Sequence, residues 1–342
     1  MIQLQKYSGK DSRHTCPNCG RHSFTYYIDE SGEYLSKEVG RCDHESSCGY
    51  HYTPKDYFRD HPEAKEGRNS FDKPNKVQPQ PKLPPKSPDY IPMWMIQRSE
   101  SINNTFMDYL KKYWSVKELE AVTKMYHLGS TKDRGCIFTQ IGVDGFCHTG
   151  KVMFYDNDGH RIRGKGDRGD RVDWLHSRLM RQQGKKSDDF YLVQVLFGEH
   201  LIPKRREATI AIVEGEKTAV ICALTFPDYI WVSTGGENGL TPEKCKSLKG
   251  RDVLIYADAD ATEKWKQKAS LLTFCKSIKV SDWAKNEPIG SKRDIADAIM
   301  ETKTAMQNKP TTIGDVLRWK EELGISNKQL KFFTYDNGSR NH

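Results

Sequence analysis

A chain of 342 residues, 36% hydrophobic and 29% charged with a mean hydropathy of −0.78, has room for two or three compact domains around a modest core. No stretch approaches the roughly 20 apolar residues of a membrane span, and the N-terminal "MIQLQKYSGKDSRHTC" has no apolar signal core, so no membrane partner and a cytoplasmic location are expected. The net charge of +8 favours polyanionic partners, although many soluble proteins share such an excess.

Cysteine usage divides the chain first. Five of the nine cysteines (Cys136, Cys147, Cys222, Cys245 and Cys275) stand singly and read as small buried side chains. The other four form two pairs, Cys16-x2-Cys19 in "CPNCG" and Cys42-x5-Cys48 in "CDHESSCGY". Two pairs about two dozen residues apart suit a tetrahedral zinc ribbon over residues 10–60, and a glycine follows each pair, where a tight knuckle turns. Four reduced core cysteines or two disulfides are the alternatives, but so small a module cannot fold on its apolar residues alone. The looser second spacing leaves His44 or His51 open as a replacement ligand. Four protein ligands make the zinc structural. The intervening "SFTYYIDESGEYLSKEVGR" predicts a hairpin with "ESGE" at its tip.

Residues 61–90, rich in Pro, Lys and other polar residues, predict an extended linker. Helical periodicity follows over about 93–126. Short strands divided by Gly and Asp turns then occupy about 134–175, including the hairpin signal "DNDGH". Together, residues 91–207 predict a helical and strand-rich α+β subdomain. From 208 to 305, apolar runs alternate with helical stretches in the manner of βαβ units, which predicts a mainly parallel sheet flanked by helices. Residues 306–342 read as a helical tail. The expected fold class is therefore α/β.

The βαβ region carries the chemistry. "TIAIV" is a buried parallel strand, Gly215 permits the turn after it, and "EKTAVICALTF" has a helical apolar face. Glu214 thus sits at the C-terminal end of a strand, where open α/β sheets place their ligands. "YIWVST" is followed by Gly235-Gly236. "DVLIYA" is followed by Asp258 and Asp260, and "IGSKRDIADAI" presents Asp294 and Asp297 near a helix start. Acids gathered at strand ends repel one another unless a cation lies between them. Hard oxygen ligands suit Mg²⁺ or Mn²⁺, which handle phosphates. A lone Asp-x-Asp or Glu-Gly is weak as a signal, since surface turns are rich in acids; the ordered set is what favours a site.

"RIRGKGDRGDR" sets Arg161, Arg163, Lys165, Arg168 and Arg171 against Asp167 and Asp170. Alone this is a solvated mixed-charge loop; beside a phosphate-handling site it is a candidate ridge for nucleic-acid phosphates. Phe154, Tyr155 and Trp174 could stack on bases but suit core packing better. "GHRIRGKG" copies the spacing of a P-loop, yet Gly166 stands where Ser or Thr is required, so no ATP-driven motor is expected in this chain.

The strand-end set resembles the Toprim domain of bacterial-type DNA primases, topoisomerases and some nucleases. Glu214-Gly215 matches its first signature, Asp258-Ala259-Asp260 its second, and "KRDIAD" with Asp294 looks like the further acid of primases. The resemblance implies that these acids bind catalytic metal. It extends over roughly residues 10–300. A zinc ribbon, a linker, a basic strand-rich part in "GKVMFYDNDGHRIRGKGDRG" and a connector in "LFGEHLI" are ordered as in such primases. Toprim-containing proteins of Bacteroidetes genomes and mobile elements, some with an uncharacterised domain before Toprim, are similar too. Two features depart from the family: "ATEKW" replaces a glycine-containing turn after Asp260, and Glu216-Lys217 replace an aromatic and an acid. Both bear on catalysis more than on fold.

The resemblance implies a primase-like nucleotidyltransferase acting in DNA replication. It would take single-stranded DNA and nucleoside triphosphates, with Lys217 near phosphate and a helicase supplied by another protein. A non-catalytic nucleic-acid-binding protein of a mobile element and a metal-dependent Toprim nuclease are the alternatives, and a topoisomerase fits least.

Overall fold

The computed structural model describes residues 2–9, 12–43, 48–62, 64, 87–164, 172–288, 290–308 and 312–322. They cluster into two units, Met1–Pro84 and Pro85–His342. Most of the 61–90 stretch read as a linker, and the tail beyond residue 322, lie outside the described residues.

In the first unit, strands β1 (Gln3–Leu4), β2 (His14–Thr15), β3 (His22–Ile28), β4 (Gly40–Cys42) and β5 (His51–Tyr52) form an antiparallel sheet. Its order is β1-β3-β4-β5, with β2 also on β3. The β3–β4 hairpin turns where the sequence expects it: Asp29 N–H donates to Glu33 O at 3.0 Å, and Gly32 takes a φ of +85°. Helix α1 (Pro54–Asp60) follows, its N-terminus capped by the Thr53 hydroxyl, which accepts from Asp56 N–H at 3.2 Å. The sheet closes over Cys16, Phe24 and Cys42, with Cys19, Tyr26, Cys48 and Tyr50 against them.

The second unit starts with three helices where the sequence shows one periodic stretch: α2 (Met93–Ser99), α3 (Thr105–Leu110) and α4 (Val116–Tyr126). The breaks fall at side-chain caps. Asn104 Oδ1 accepts from Met107 N–H at 2.9 Å, and Ser115 with Glu118 forms a reciprocal capping box. Strands β6 (Gly129–Ser130), β7 (Cys136–Ile141), β8 (Cys147–Tyr155), β9 (Arg161–Ile162) and β10 (Asp173–Trp174) build an antiparallel sheet. Its order is β10-β8-β7-β6, with β9 also on β8. The "DNDGH" turn closes as Asp156 N–H donates to His160 O at 3.0 Å. Helix α5 (Leu175–Gln182) follows.

The third sheet is parallel throughout. It contains β11 (Ile210–Val213), β12 (Ile230–Ser233), β13 (Asp252–Ile255) and β14 (Ser277–Val280) in the order β12-β11-β13-β14. Helices α6 (Glu216–Thr225), α7 (Thr262–Ala269) and α8 (Ile295–Asn308) follow β11, β13 and β14, and α9 (Ile313–Glu322) comes last. β11 is central and buried at every position, as its β-branched run requires. α6 is buried on most of its circumference, more than one apolar face predicts, because α4 and α8 pack on it as well as β12. All nine cysteines are free; four of the five single ones are buried and Cys275 is partly so. Among the described residues no helix is long and apolar enough to cross a membrane.

Candidate functional site

Strand β11 delivers Glu214 to the C-terminal edge of the parallel sheet. Beside it, β13 runs on through Tyr256, whose N–H donates to Ile212 O at 2.8 Å, and delivers Asp258 to the same edge. The following turn, Ala259–Ala261, carries Asp260 outward into solvent. It is tied to the start of α8 because Ala259 N–H donates to Arg293 O at 3.0 Å. Asp294 caps α8: Asp297 N–H donates to Asp294 Oδ1 at 3.0 Å, and Asp294 N–H donates to Asp297 Oδ2 at 3.1 Å. The Thr218 hydroxyl of α6 donates to Asp294 Oδ2 at 2.6 Å. Elements distant in sequence therefore turn these acids toward one edge.

Burial and crowding raise the pKa values of these acids. Burial, and next the charge of Glu214, Asp294, Asp260 and Asp297, pushes the Asp258 carboxyl up to about 8. Burial followed by the charges of Glu237 and Asp260 raises Glu214, while the Glu237 N–H and Lys268 oppose that shift. Asp294 is raised by burial and then by Asp297, with Lys217 and Thr218 opposing. A cation would relieve this repulsion, and hard carboxylate oxygens at an open sheet edge fit Mg²⁺ or Mn²⁺. The acids are not drawn into a ready-made ligand cage: among the described residues, the one group of three or more His, Cys, Asp or Glu that could hold a metal ion is the cysteine set. An ion held through one or two carboxylates, water and substrate phosphate needs no such cage.

A cleft of about 250 Å³ opens on this edge, lined by Lys151, Arg161, Glu214, Lys217, Gly235 and Asp294 among others. Arg161 therefore joins the acids, and Lys217 stands 3.8 Å from Asp297. Arg163 is exposed and is not part of the lining. Lys165, Arg168 and Arg171 lie outside the described residues. Phe154 and Tyr155 are core side chains, 1% and 4% exposed, which leaves neither ring free to stack on a base. Trp174 is half-buried, with the Lys151 ammonium 5.6 Å above its ring.

Sequence reasoning missed two lysines. Lys151 of β8 forms a buried ion pair with Glu216 at 2.9 Å and donates to Gly235 O at 2.5 Å. Lys244 donates to Thr234 O at 2.8 Å, and burial lowers its pKa to about 8. For Lys151 a signal was present, a charge inside the apolar run "GKVMFY"; Lys244 lies in an ordinary polar segment that offers none.

In the first unit the sulfur atoms of Cys16, Cys19, Cys42 and Cys48 all lie within 4.8 Å of one another. Cys16 Sγ and Cys48 Sγ are 3.6 Å apart, and Cys19 Sγ and Cys42 Sγ 3.8 Å. Thiolates on a tetrahedral zinc at about 2.3 Å stand roughly 3.8 Å apart. A disulfide needs about 2.05 Å, which removes the disulfide alternative. Gly20 and Gly49, one after each pair, take φ of +67° and +64°, the left-handed turns of the two knuckles. The Asn18 amide donates to Cys48 Sγ at 3.4 Å and is the largest cause holding that thiol down at about 6. His51 is not a ligand: its Nε2 is hydrogen-bonded to the Tyr27 hydroxyl at 3.0 Å. His44 lies outside the described residues.

Residues 1–63 match the family model of a zinc beta-ribbon finger, and residues 104–259 match a domain of unknown function (DUF6371). No curated protein matches the chain. Among solved structures, the chain is similar to the primase fragment of the bacteriophage T7 primase-helicase protein, at 13% identity over 87% of this chain and 98% of that one, with a TM-score of 0.37. It is similar to the DnaG catalytic core at 12% identity over 70% and 90%, TM-score 0.38. The zinc-binding and RNA polymerase domains of the Aquifex aeolicus primase are similar at 14% identity over 90% and 79%, TM-score 0.34.

Proposed function

We propose that the chain is a primase-like nucleotidyltransferase that joins nucleoside triphosphates into short primers on single-stranded DNA. The supporting observation is the approach of Glu214, Asp258, Asp260 and Asp294 at one edge of a parallel sheet, beside a cleft that Glu214 and Asp294 line together with Arg161 and Lys217 and that Asp258 and Asp260 do not line. In this reading the 208–305 region is a Toprim domain, and Glu214, Asp258 and Asp260, with Asp294, hold Mg²⁺ or Mn²⁺. The divalent ions supply neutralising charge for the triphosphate. Arg161 and Lys217 contact phosphate oxygens, and the cleft brings a 3′-hydroxyl near an α-phosphorus. That oxygen forms the new P–O bond, the bond to the leaving pyrophosphate breaks, and the hydroxyl proton passes to solvent. The zinc ribbon contacts the template, and a separate protein provides helicase activity.

The test is primer synthesis. Purified chain is incubated with single-stranded DNA, labelled nucleoside triphosphates and Mg²⁺ or Mn²⁺, beside the variant Asp258→Asn with Asp260→Asn. Short nucleotide-dependent products from the unaltered chain alone are expected. DNA bound by both proteins with no product from either, also after a helicase is supplied, rejects catalysis in favour of binding alone. Metal-dependent cleavage of the DNA without nucleotides assigns the acids to a nuclease instead.

A further inference from the structure

Two lysines that the proposed chemistry does not use converge on one loop. After β12 the chain turns through Thr234, Gly235 and Gly236 into a short helical turn at Glu237–Gly239. The amides of this loop serve β11 and Glu214. Thr234 N–H donates to Val213 O at 3.1 Å, and Gly235 N–H donates to the backbone O of Glu214 itself at 2.9 Å. Three of its carbonyls end on ammonium groups: Lys244 Nζ donates to Thr234 O at 2.8 Å, Lys151 Nζ to Gly235 O at 2.5 Å, and Lys268 Nζ, the most exposed of the three at the loop's far end, to Glu237 O at 2.6 Å; Lys151 and Lys244 are the two that hold its start.

Each lysine is held at a second point. Lys151 pairs with Glu216 at 2.9 Å, the two side chains being 7% and 3% exposed, and Lys244 donates to Gln194 Oε1 at 3.3 Å. Gly235 makes room for this, since its φ is +75° and a Cβ there would stand 3.1 Å from Lys151 Nζ and 3.2 Å from Glu216 Oε1. Buried ammonium groups are a costly filler; apolar side chains of similar length pack as well or better. What the charges add is a fixed direction for two carbonyls, and through the same peptide planes for the amides next to them.

We infer that Lys244 and Lys151 are positioning residues for Glu214. By holding the Thr234 and Gly235 carbonyls, they fix the loop whose Thr234 and Gly235 amides hold Val213 and the backbone of Glu214, and so set where the Glu214 side chain leaves the strand. The inference rests on the proposed function only where metal is the readout.

The test uses the full chain and two variants, Lys244→Met and the double change Lys151→Met with Glu216→Gln, which leaves no unpaired buried charge. Hydrogen exchange is followed in peptides covering residues 234–239, with peptides over residues 210–213 and 252–255 as internal reference. Mn²⁺ affinity is titrated in parallel. Loop exchange at least about tenfold faster with the reference strands unchanged, and Mn²⁺ binding about tenfold weaker, are expected. In a Glu214→Gln background, Lys244→Met should weaken Mn²⁺ no further. Loop exchange at its original rate in both variants overturns the inference, and so does faster exchange spread equally over the strands, which marks a purely structural role. If the unaltered chain binds no Mn²⁺ while loop exchange still rises, the metal reading falls and the positioning role stands.

Discussion

Asp258 sits within reach of four other carboxylates, those of Glu214, Asp294, Asp260 and Asp297, and burial with their charge raises its own to about 8. The ordinary value is 3.8, so between roughly pH 4 and pH 8 the unfolded chain ionises this group while the folded chain resists. The folded state then binds more protons than the unfolded one, and stability falls as pH rises through that window. Asp258→Asn removes the penalty. Without divalent metal the variant should melt several degrees above the unaltered chain at pH 7.5, for a gain of about 2 kcal/mol, and the gap should close near pH 4. Millimolar Mg²⁺ or Mn²⁺ should raise the melting temperature of the unaltered chain more than that of the variant. A melting difference that stays constant with pH rejects the account. Glu214 and Asp258 were legible in the sequence because each follows its own apolar run and so inherits a strand end, and Asp294 because it stands directly before the apolar positions that start a helix. Lys244 was not, because its burial depends on Gln194 and a loop carbonyl brought close only by the fold, and for Lys151 the charge inside an apolar run signals burial without naming its partners, Glu216 and the Gly235 carbonyl.

Strand β12 lies at the edge of the parallel sheet, where its outer carbonyls have no neighbouring strand. Two other elements cover them. The Tyr126 hydroxyl at the end of α4 donates to Trp231 O at 2.9 Å, and Phe197 pairs with Ser233 through both backbone groups. The Tyr126 and Phe197 rings stack at 5.0 Å, and Gly198 lets the chain pass, since a Cβ there would come within 2.7 Å of Trp231 O. Covering an edge in this way blocks pairing with foreign strands. Tyr126→Phe keeps the ring and removes one buried donor, so denaturant unfolding should show a loss of about 1–2 kcal/mol. Tyr113→Phe, whose hydroxyl meets Thr304 at an exposed site, should cost far less; equal costs would show that the Trp231 contact contributes nothing special. The β-branched runs announced the parallel strands, but periodicity carries no information on strand order or on which segment closes an edge. It likewise reports the apolar face of residues 93–126 without the breaks at Asn104 and Ser115, which depend on caps.

The two units are held together by different means. The second has a large apolar core that includes fully buried Trp231 and Trp265. The main apolar cluster of the first contains Phe24, Tyr26, Tyr50 and the four clustered cysteines, so the cage itself supplies most of its centre. A module this small gains too little from apolar burial to offset its ordering entropy, and metal–thiolate bonds must supply the difference. The sequence made this visible because pair spacing and the glycines after each pair are local features; the exclusion of His51 was not visible, since it depends on Tyr27 across the sheet. One zinc per chain is therefore expected by metal analysis. Stripping it with a strong chelator, or substituting Cys42→Ser, should expose residues 1–60 to rapid proteolysis and abolish the aromatic circular-dichroism signal of that unit. Among the described residues every ligand of the zinc lies in the first unit, so the main calorimetric transition, that of the second unit's core, is expected to survive zinc removal. A first unit that still resists protease after complete zinc removal would mean that hydrogen bonds and aromatic contacts suffice there, and that the four thiols are buried side chains rather than a metal cage.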